Sequence, residues 1–347
     1  MSKFRVGITA DVLKSDGKPI FGEEVLGLLD AADLEWEYMD GASVELTQAQ
    51  AARYDAICAM ITKVTPQSLA GTDRRLKLIA RFGVGYDTID VPACTQARVI
   101  LTIAPDGVRR PVATSALTFV LMLAQKVLVK DRLTRAGRWS EKSDHIGTGL
   151  TGRTLGSIGI GNIGAELFRM AKPFDMKFIA HDPFADKAVA AELGIELVGM
   201  DDVFRRADVL CVNCPLTSET KHLVNAERLA LMKPTAYLIN TARGPIVDQK
   251  ALTKALTERR IAGAGLDVLE SEPPDPNDPI LKLDNVILAP HALCWTDQCF
   301  AGNGAADVKA VRDIQHGRVP RGVANRAVLD QPRFKARLDA YRSRFGG

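Results

Sequence analysis

The sequence predicts an α/β protein of two doubly wound domains. Short apolar runs with strand-like spacing alternate with helix-like periodicity along most of the chain, which is typical of parallel sheets covered by helices. A glycine-rich turn interrupts this alternation at residues 159–164. The length of 347 residues suits about two domains, each large enough to bury a core of its own.

The N-terminal part of the chain predicts a first α/β sheet. Gly83 and Gly85 follow one of its strands, so the backbone N–H groups of residues 80–90 could hold an anion such as a carboxylate, or could form a plain tight turn. Residues 102–107 read as a linker, and residues 112–133 read as one long helix. The strands are expected at Phe4–Thr9, Leu34–Tyr38, Ala56–Met60, Leu76–Arg81 and Arg98–Thr102.

The glycine-rich turn has the spacing of a dinucleotide site. Gly159, Gly161 and Gly164 form G-x-G-x-x-G between an apolar strand and a helical pattern. The three glycines would permit a tight turn, a close backbone approach to a pyrophosphate, and close packing of helix on strand. Asp182 follows the next predicted strand, Met176–Ala180, where its carboxylate could accept from both adenosine ribose hydroxyls and repel a 2′-phosphate. The unit therefore favours NAD over NADP.

The alternation of strands and helices continues after Asp182, as expected for a doubly wound parallel sheet. Residues 272–279 are dense in proline and are expected to form an irregular loop. The further elements are expected at Val189–Leu193, Asp208–Asn213, Thr235–Asn240, Gln249–Thr257, Ala262–Val268 and Val286–Leu288.

Three charged side chains follow predicted strands, where the ligands of such sheets gather. Arg243 and His291 each come directly after a strand, and Glu272 lies in a loop between them. Hydride transfer to a 2-keto acid needs a cation for the carboxylate and carbonyl, and an acid for the developing alkoxide. Arg243 and His291 supply these groups, and Glu272 would favour the charged imidazole. Taken singly, Arg243 could form a surface ion pair, Glu272 could be a solvated acid and His291 could be an ordinary residue at a strand end. Together with the dinucleotide turn, the three indicate catalysis.

Charge and composition argue against several classes of function. The net charge is +3 with no long basic run, so nucleic-acid binding is not expected. Polar residues interrupt the most apolar stretch, residues 112–129, which favours a buried or interface helix over a membrane span. The chain begins directly with a strand-like run, so we expect a cytoplasmic protein without a signal peptide.

The cysteines do not predict a metal site. Cys211 and Cys214 have the spacing of half a metal or redox motif, but the sequence has no second pair of this spacing. Cys294 and Cys299 near His291 could in principle complete a zinc site. Reduced, buried thiols are the ordinary interpretation in a cytoplasmic protein.

The chain resembles the D-isomer-specific 2-hydroxyacid dehydrogenases, including short-form phosphoglycerate dehydrogenase and hydroxypyruvate reductase-like members. The resemblance runs from Arg81 to about Asn325, in an ordered and specific set of motifs. These are T-L-G-S-I-G-I-G-N-I-G, H-D-P, N-C-P-L-T-S-E-T, I-N-T-A-R-G-P-I-V-D, A-G-A-G-L-D-V-L-E-S-E-P-P and A-P-H.

The resemblance implies a Rossmann NAD-binding domain at residues 105–292. This domain would be inserted into a discontinuous, flavodoxin-like substrate-binding domain made of residues 1–104 and 293–347, with hinges near Ile103 and Ala292. The helix from Val112 and the arm around Trp139 correspond to the dimer contact of the family, so a homodimer is expected.

The resemblance also implies the site residues. Arg243, Glu272 and His291 would be catalytic, and the substrate would contact Val84 and Gly85 together with Arg243 and His291. Asp267 would lie near the nicotinamide carboxamide. The full expected NAD-binding set is Gly159, Gly161, Asn162, Ile163, Gly164, Asp182, Cys214, Pro215, Thr220, Thr241, Ala242 and Asp267.

Departures from the family pattern bear on the substrate. Met60 stands where phosphoglycerate-using members often have an arginine, so a phosphate-bearing substrate would lose a charge partner. Cys294 and Trp295 follow His291 where small residues are common, which would reshape the cleft. The alternative function is that of the NAD-sensing corepressors, which share the fold and the three catalytic-type residues. The absence of an obvious peptide-docking extension favours an enzyme over this class.

Overall fold

The structure is a computed structural model that describes residues 3–39, 44–71 and 74–345. It divides into two compact units, residues 1–108 with 295–347, and residues 109–294. The limits between the units therefore fall after Val108 and Cys294, whereas the sequence placed them after Ala104 and Ala292.

The first unit is built on a five-stranded parallel sheet in the order β2-β1-β3-β4-β5. This is the 2-1-3-4-5 order of flavodoxin-like folds. The strands are β1 (Phe4–Ile8), β2 (Leu34–Tyr38), β3 (Ala56–Ala59), β4 (Leu78–Arg81) and β5 (Ile100–Ile103). The helices are α1 (Glu23–Gly27), α2 (Gln48–Arg53), α3 (Val91–Gln96), the start of α4 (Pro105–Ala124), and, numbered in chain order, α11 (Asp297–Gln315) and α12 (Pro332–Phe345).

The second unit has a seven-stranded parallel sheet in the order β12-β11-β10-β9-β6-β7-β8. Counted from its own first strand, this sheet has the 3-2-1-4-5-6 order of a Rossmann fold with one more strand at the edge. The strands are β6 (Thr154–Ile158), β7 (Lys177–His181), β8 (Ile195–Leu197), β9 (Val209–Val212), β10 (Tyr237–Asn240), β11 (Gly263–Leu266) and β12 (Val286–Leu288). The helices besides the rest of α4 are α5 (Val127–Arg135), α6 (Asn162–Ala171), α7 (Lys187–Leu193), α8 (Met200–Arg206), α9 (Ala226–Leu231) and α10 (Gln249–Thr257).

Both faces of each sheet are buried, which confirms the predicted fold class. In the second unit, Val209 and Cys211 of β9 belong to one apolar cluster, whereas Leu210 and Val212 belong to another. Successive side chains of a strand point to opposite faces, so the two clusters lie on opposite sides of the sheet. The strands of the first unit divide in the same way between two further clusters. Near-continuous apolar strands are what a parallel sheet covered on both sides requires.

The prediction of one continuous helix over residues 112–133 is wrong. The structure has two helices, α4 and α5, separated at Lys126, whose φ of 52° is left-handed. The backbone N–H of Thr148 donates to the Ala124 carbonyl at 2.7 Å, so a segment distant in sequence forms a hydrogen bond at the break between the two helices. The predicted linker over residues 102–107 is also wrong, because β5 runs to Ile103 and α4 begins at Pro105, a residue suited to the first turn of a helix.

Candidate active site

The predicted site residues of the second unit lie where strands of one parallel sheet end. The glycine turn follows β6, Asp182 follows β7, and Cys214 comes after β9. Arg243 comes after β10, Asp267 after β11 and His291 after β12. Because all these strands are parallel, their carboxyl ends share one edge of the sheet. The direction of winding reverses between β6 and β9, so the glycine turn lies at the switch point of the sheet.

The glycine turn fits a pyrophosphate. Gly159 has φ of 94°, and a Cβ there would come within 2.9 Å of the Asn213 backbone. A Cβ at Gly164 would collide with the carbonyl oxygen of Gly159, so packing within the chain itself requires both glycines. Gly161 is different, because its φ is −61° and a Cβ would meet nothing within 4 Å. The space it leaves open adjoins the N-terminus of α6, where backbone N–H groups and the helix dipole favour a phosphate.

Asp182 is held against the glycine turn. Its Oδ2 accepts a hydrogen bond from the Ile160 backbone N–H at 2.9 Å, and its Oδ1 accepts one from the Phe184 N–H at 2.8 Å. Each carboxylate oxygen has a further lone pair for a ribose hydroxyl. The fixed negative charge beside the turn also disfavours a 2′-phosphate.

Cys214 and Thr220, in the loop after β9, are neutral groups. Burial raises the pKa of the Cys214 thiol to about 11, so the thiol is protonated at neutral pH. The Thr220 hydroxyl donates to the carbonyl of Pro215 at 2.7 Å and accepts from the N–H of Thr217 at 2.7 Å. These bonds close residues 215–220 into a compact turn at the sheet edge.

Asn240 shapes the turn from which Arg243 projects. Asn240 is 1% exposed; its Nδ2 donates to the Arg243 carbonyl at 2.9 Å and its Oδ1 accepts from the Ala242 N–H at 3.0 Å. Thr241 lies within the same turn, and Arg243 Nη1 donates to the Ala242 carbonyl at 2.6 Å. No role was expected for Asn240 from the sequence, although an asparagine at the end of a strand is a known signal for side-chain hydrogen bonding within a turn.

Glu272 and His291 form a hydrogen-bonded pair with 2.8 Å between Oε2 and Nδ1. A carboxylate only accepts, so Nδ1 carries the hydrogen and Nε2 is the nitrogen that faces away from Glu272. Burial opposes ionisation of Glu272, but the hydrogen bonds from His291 and from the Leu269 N–H, with the nearby charge of Arg243, outweigh it and lower the pKa of Glu272. Glu272 is therefore a carboxylate at neutral pH.

The backbone of His291 is in an uncommon conformation. Its φ of 55° lies in the left-handed region, which residues with a Cβ seldom adopt. Its N–H donates to the Asp267 carbonyl at 2.7 Å, and Asp267 Oδ1 accepts from the N–H groups of Ala292 and Leu293 at 3.0 and 3.1 Å. Burial raises the pKa of the Asp267 carboxyl, although these two N–H groups oppose the rise. Asp267 thus sets the path of the chain through His291.

Val84 and Gly85 lie in the first unit, in the loop after β4, and both are half-buried. The preceding Gly83 has φ of 119°, and its carbonyl accepts from the Ala104 N–H at 2.8 Å. The loop is therefore tied to the end of β5. The contact of Val84 and Gly85 with substrate stays a prediction.

The described part of the chain has neither a cluster of metal-ligating side chains nor a single helix that could span a membrane. No group of three or more His, Cys, Asp and Glu side chains in residues 3–39, 44–71 and 74–345 could hold a metal ion. Burial raises the pKa of Cys211 to about 12, as for an ordinary core thiol. In the same ranges no single helix is long and apolar enough to cross a membrane; α4 and α5 meet the criterion only as a pair, which is bent by 56°.

Comparison with known proteins identifies the family. The profile described as "D-isomer specific 2-hydroxyacid dehydrogenase, NAD binding domain" matches residues 117–292. A glyoxylate reductase of Korarchaeum cryptofilum is 37% identical over 278 residues, covering 79% of this chain and 84% of that protein. A D-3-phosphoglycerate dehydrogenase of Archaeoglobus fulgidus is 33% identical over 313 residues, covering 90% of this chain and 59% of that protein.

A solved structure agrees with these relatives. The crystal structure of a glyoxylate reductase from Paecilomyes thermophila has a TM-score of 0.77 and 26% identity, covering 90% of this chain and 95% of that one. The chain therefore belongs to the D-isomer-specific 2-hydroxyacid dehydrogenases and is an NAD-dependent enzyme of that family.

Proposed function

We propose that this enzyme reduces a small 2-keto acid whose side chain carries no charge, with glyoxylate as the first candidate, and in reverse oxidises the corresponding 2-hydroxy acid, in its D form where that acid is chiral. The observation that carries the proposal is the 2.8 Å pair of His291 and Glu272 at the sheet edge that also carries Arg243 and the glycine turn. Bound NADH would supply the hydride for the carbonyl carbon.

His291 would hold the proton that the carbonyl oxygen takes up. Glu272 accepts from Nδ1, so Nε2 is the nitrogen that can donate towards substrate. Despite its burial, Glu272 has a lowered pKa because His291 donates to it, so a carboxylate faces the ring that would carry the proton in reduction. In the oxidation direction, the neutral ring would take the hydroxyl proton at the same nitrogen.

Arg243 would bind the substrate carboxylate and polarise the carbonyl. Its guanidinium offers a planar set of donors, and Asn240 fixes the backbone of its turn. The charge of Arg243 adds to the hydrogen bonds from His291 and Leu269 in lowering the pKa of Glu272 against the effect of burial, which supports a place for this cation near the His291–Glu272 pair. A keto acid held by Arg243 would present its carbonyl oxygen where the growing negative charge is stabilised.

The preference for an uncharged side chain rests on residues of the first unit. Met60 follows β3 and offers no positive charge. Asp11, after β1, accepts from the Ile61 N–H at 2.8 Å through Oδ2, so a carboxylate lies beside the loop that carries Met60. Since β1 and β3 are neighbours in the sheet, this acid would disfavour a phosphate-bearing side chain near the Val84 loop. The glyoxylate reductase relatives agree with a small substrate.

The positions of these residues in the chain assign different functions to the two units. We assign NAD binding and the groups Arg243, Glu272 and His291 to the second unit, residues 109–294, and recognition of the substrate side chain to residues 1–108 and 295–347. We also propose a homodimer, because Trp139 and Ile146 near α5 are 66% and 77% exposed, a large apolar area for side chains on one segment. Size-exclusion chromatography with light scattering would show one species of twice the chain mass.

The test is oxidation of NADH, followed by absorbance, with glyoxylate, hydroxypyruvate, pyruvate and phosphohydroxypyruvate, and with NADPH in parallel. We expect turnover of glyoxylate and weak or no turnover of the phosphorylated acid. In reverse, D-lactate should be oxidised and L-lactate should not. NADH binding without turnover of any of these acids would contradict the proposal and favour the NAD-sensing alternative.

The role of His291 is tested by His291→Ala. We expect turnover to fall at least a hundredfold, because proton transfer is lost, while the Kd for NADH changes less than about threefold. His316→Ala is the matched control, since His316 lies at the end of α11 with its Nδ1 against the Arg312 carbonyl. Equal losses of NADH affinity and turnover in His291→Ala would refute the assigned role.

A further inference from the structure

His222 and Glu270 form a second histidine–carboxylate pair beside the candidate active site. The distance from His222 Nε2 to Glu270 Oε1 is 2.6 Å, and the side chains are 40% and 33% exposed. Neither residue has a part in the proposed reaction. Glu270 is separated from Glu272 by Ser271 alone, so the pair is attached to the loop that carries the carboxylate facing His291.

The backbone of His222 is bonded to the turn that follows Arg243. The His222 N–H donates to the Pro245 carbonyl at 2.8 Å, and the Val224 N–H donates to the Ile246 carbonyl at 3.0 Å. His222 has φ of 51°, so it adopts a left-handed conformation at the point where its side chain reaches Glu270. Such a conformation is uncommon for histidine and persists where surrounding contacts hold it.

Glu270 is held from a second side by Gln249. Glu270 Oε2 accepts from the Gln249 backbone N–H at 3.2 Å, and the Glu270 N–H donates to Gln249 Oε1 at 2.9 Å. The Gln249 side chain also donates to Asp278 Oδ2 at 2.6 Å. The loop with Glu272 is therefore fastened before and after that residue.

The Arg243 turn and the Glu272 loop are in direct contact. A Cβ on Gly244 would collide with the carbonyl of Leu269, so the two backbones touch where the glycine lies. His222 bridges the same two segments, through its backbone to Pro245 and through its ring to Glu270.

We propose that the His222–Glu270 pair is a clamp that sets the position of Arg243 relative to Glu272, and through Glu272 the orientation of His291. The two are positioning residues and do not touch substrate. The inference rests on the proposed function, which assigns Arg243, Glu272 and His291 their roles. Loss of the clamp lets two reacting groups drift apart, and displacements well under 1 Å between such groups cost roughly tenfold in rate.

The test compares two substitutions of His222 in glyoxylate reduction. Asparagine tolerates the left-handed backbone but is too short to reach Glu270, so His222→Asn removes the side-chain bond and keeps the bond to Pro245. Glutamine extends further, so His222→Gln restores a donor near Glu270. We expect His222→Asn to lower kcat/KM about tenfold with the Kd for NADH within twofold, and His222→Gln to recover most of this loss. His316→Asn, the same exchange outside the site, should leave kcat/KM unchanged.

The coupling between His222 and Glu270, measured with a double variant, gives a second readout. If the two side chains act as one clamp, adding Glu270→Gln to His222→Asn should lower kcat/KM little further, whereas independent roles predict additive losses. Activity of His222→Asn within twofold of wild type, or fully additive losses in the double variant, overturns the clamp. His291→Ala separates this from failure of the proposed function, because retained turnover in that variant removes the catalytic assignment itself.

Discussion

Replacing Glu272 with glutamine should move the pH dependence of catalysis without abolishing it. The substitution keeps the length of the side chain and an oxygen that can accept from His291 Nδ1, but it removes the negative charge. Despite burial, the hydrogen bond and charge of His291 lower the pKa of Glu272, and by reciprocity the Glu272 carboxylate stabilises the charged ring; Glu272→Gln removes this stabilisation. Reduction needs the charged ring, and the basic limb of its pH profile should therefore move to lower pH.

The size of this effect follows from the exposure of the pair. Two unit charges about 4 Å apart interact by about 4 kcal/mol at an effective dielectric constant of about 20, and by about 1 kcal/mol in bulk water. The side chains of His291 and Glu272 are 45% and 40% exposed, so the value lies towards the lower limit, at about 1.4 kcal/mol. This energy corresponds to a shift of the basic limb by about one pH unit. At pH values above the limb, kcat/KM for reduction should fall about tenfold.

The assay is kcat/KM for glyoxylate reduction and for D-hydroxy acid oxidation from about pH 5 to about pH 9. Reduction by Glu272→Gln should approach the wild-type rate at the acid end. Oxidation needs the neutral ring, so it should extend to lower pH in the variant. Glu258→Gln, a surface charge at the end of α10, is the control and should leave both profiles unchanged. An equal fractional loss at every pH would refute the reasoning, because it would show that Glu272 acts by position alone.

Two further predictions concern the cofactor preference and the stability of the first unit. Asp182→Asn keeps an acceptor for the Ile160 N–H but removes the charge, so the NADH to NADPH ratio of kcat/KM should fall at least tenfold; an unchanged ratio would place the acid away from the ribose. Burial raises the pKa of Asp307 well above its usual range despite the charge of Arg81, and its Oδ2 has no hydrogen-bond partner among the described residues. An acid whose pKa is raised in the folded state destabilises the folded protein as the pH rises from about 4 through that pKa. Asp307→Asn removes this effect, so it should increase the free energy of unfolding by about 1–3 kcal/mol at about pH 8 and by less at about pH 4. Urea unfolding at both pH values measures this, and a variant less stable at the higher pH would contradict it.

Local pattern was sufficient for the fold class and for predicting which residues follow the strands. The glycine turn and Asp182 depend on spacing within one strand, turn and helix, and turn chemistry is a short-range property. Arg243 and His291 could be placed on one side of the sheet because parallel strands bring their carboxyl ends together, so a charged residue at a strand end has a predictable place. The predicted strands ran a residue or two too long at several ends, because strand ends are set by hydrogen bonding to neighbouring strands.

By itself, the sequence determined the alternation of elements, the dinucleotide turn and the residue types at the strand ends. Tertiary structure decided the features that depend on pairing between distant residues. Thr148 meets Ala124 at the break between α4 and α5. His222 reaches Glu270 across 48 positions of sequence. Such contacts leave no period or motif in the chain, because a hydrogen bond between distant segments depends on where the fold brings them together.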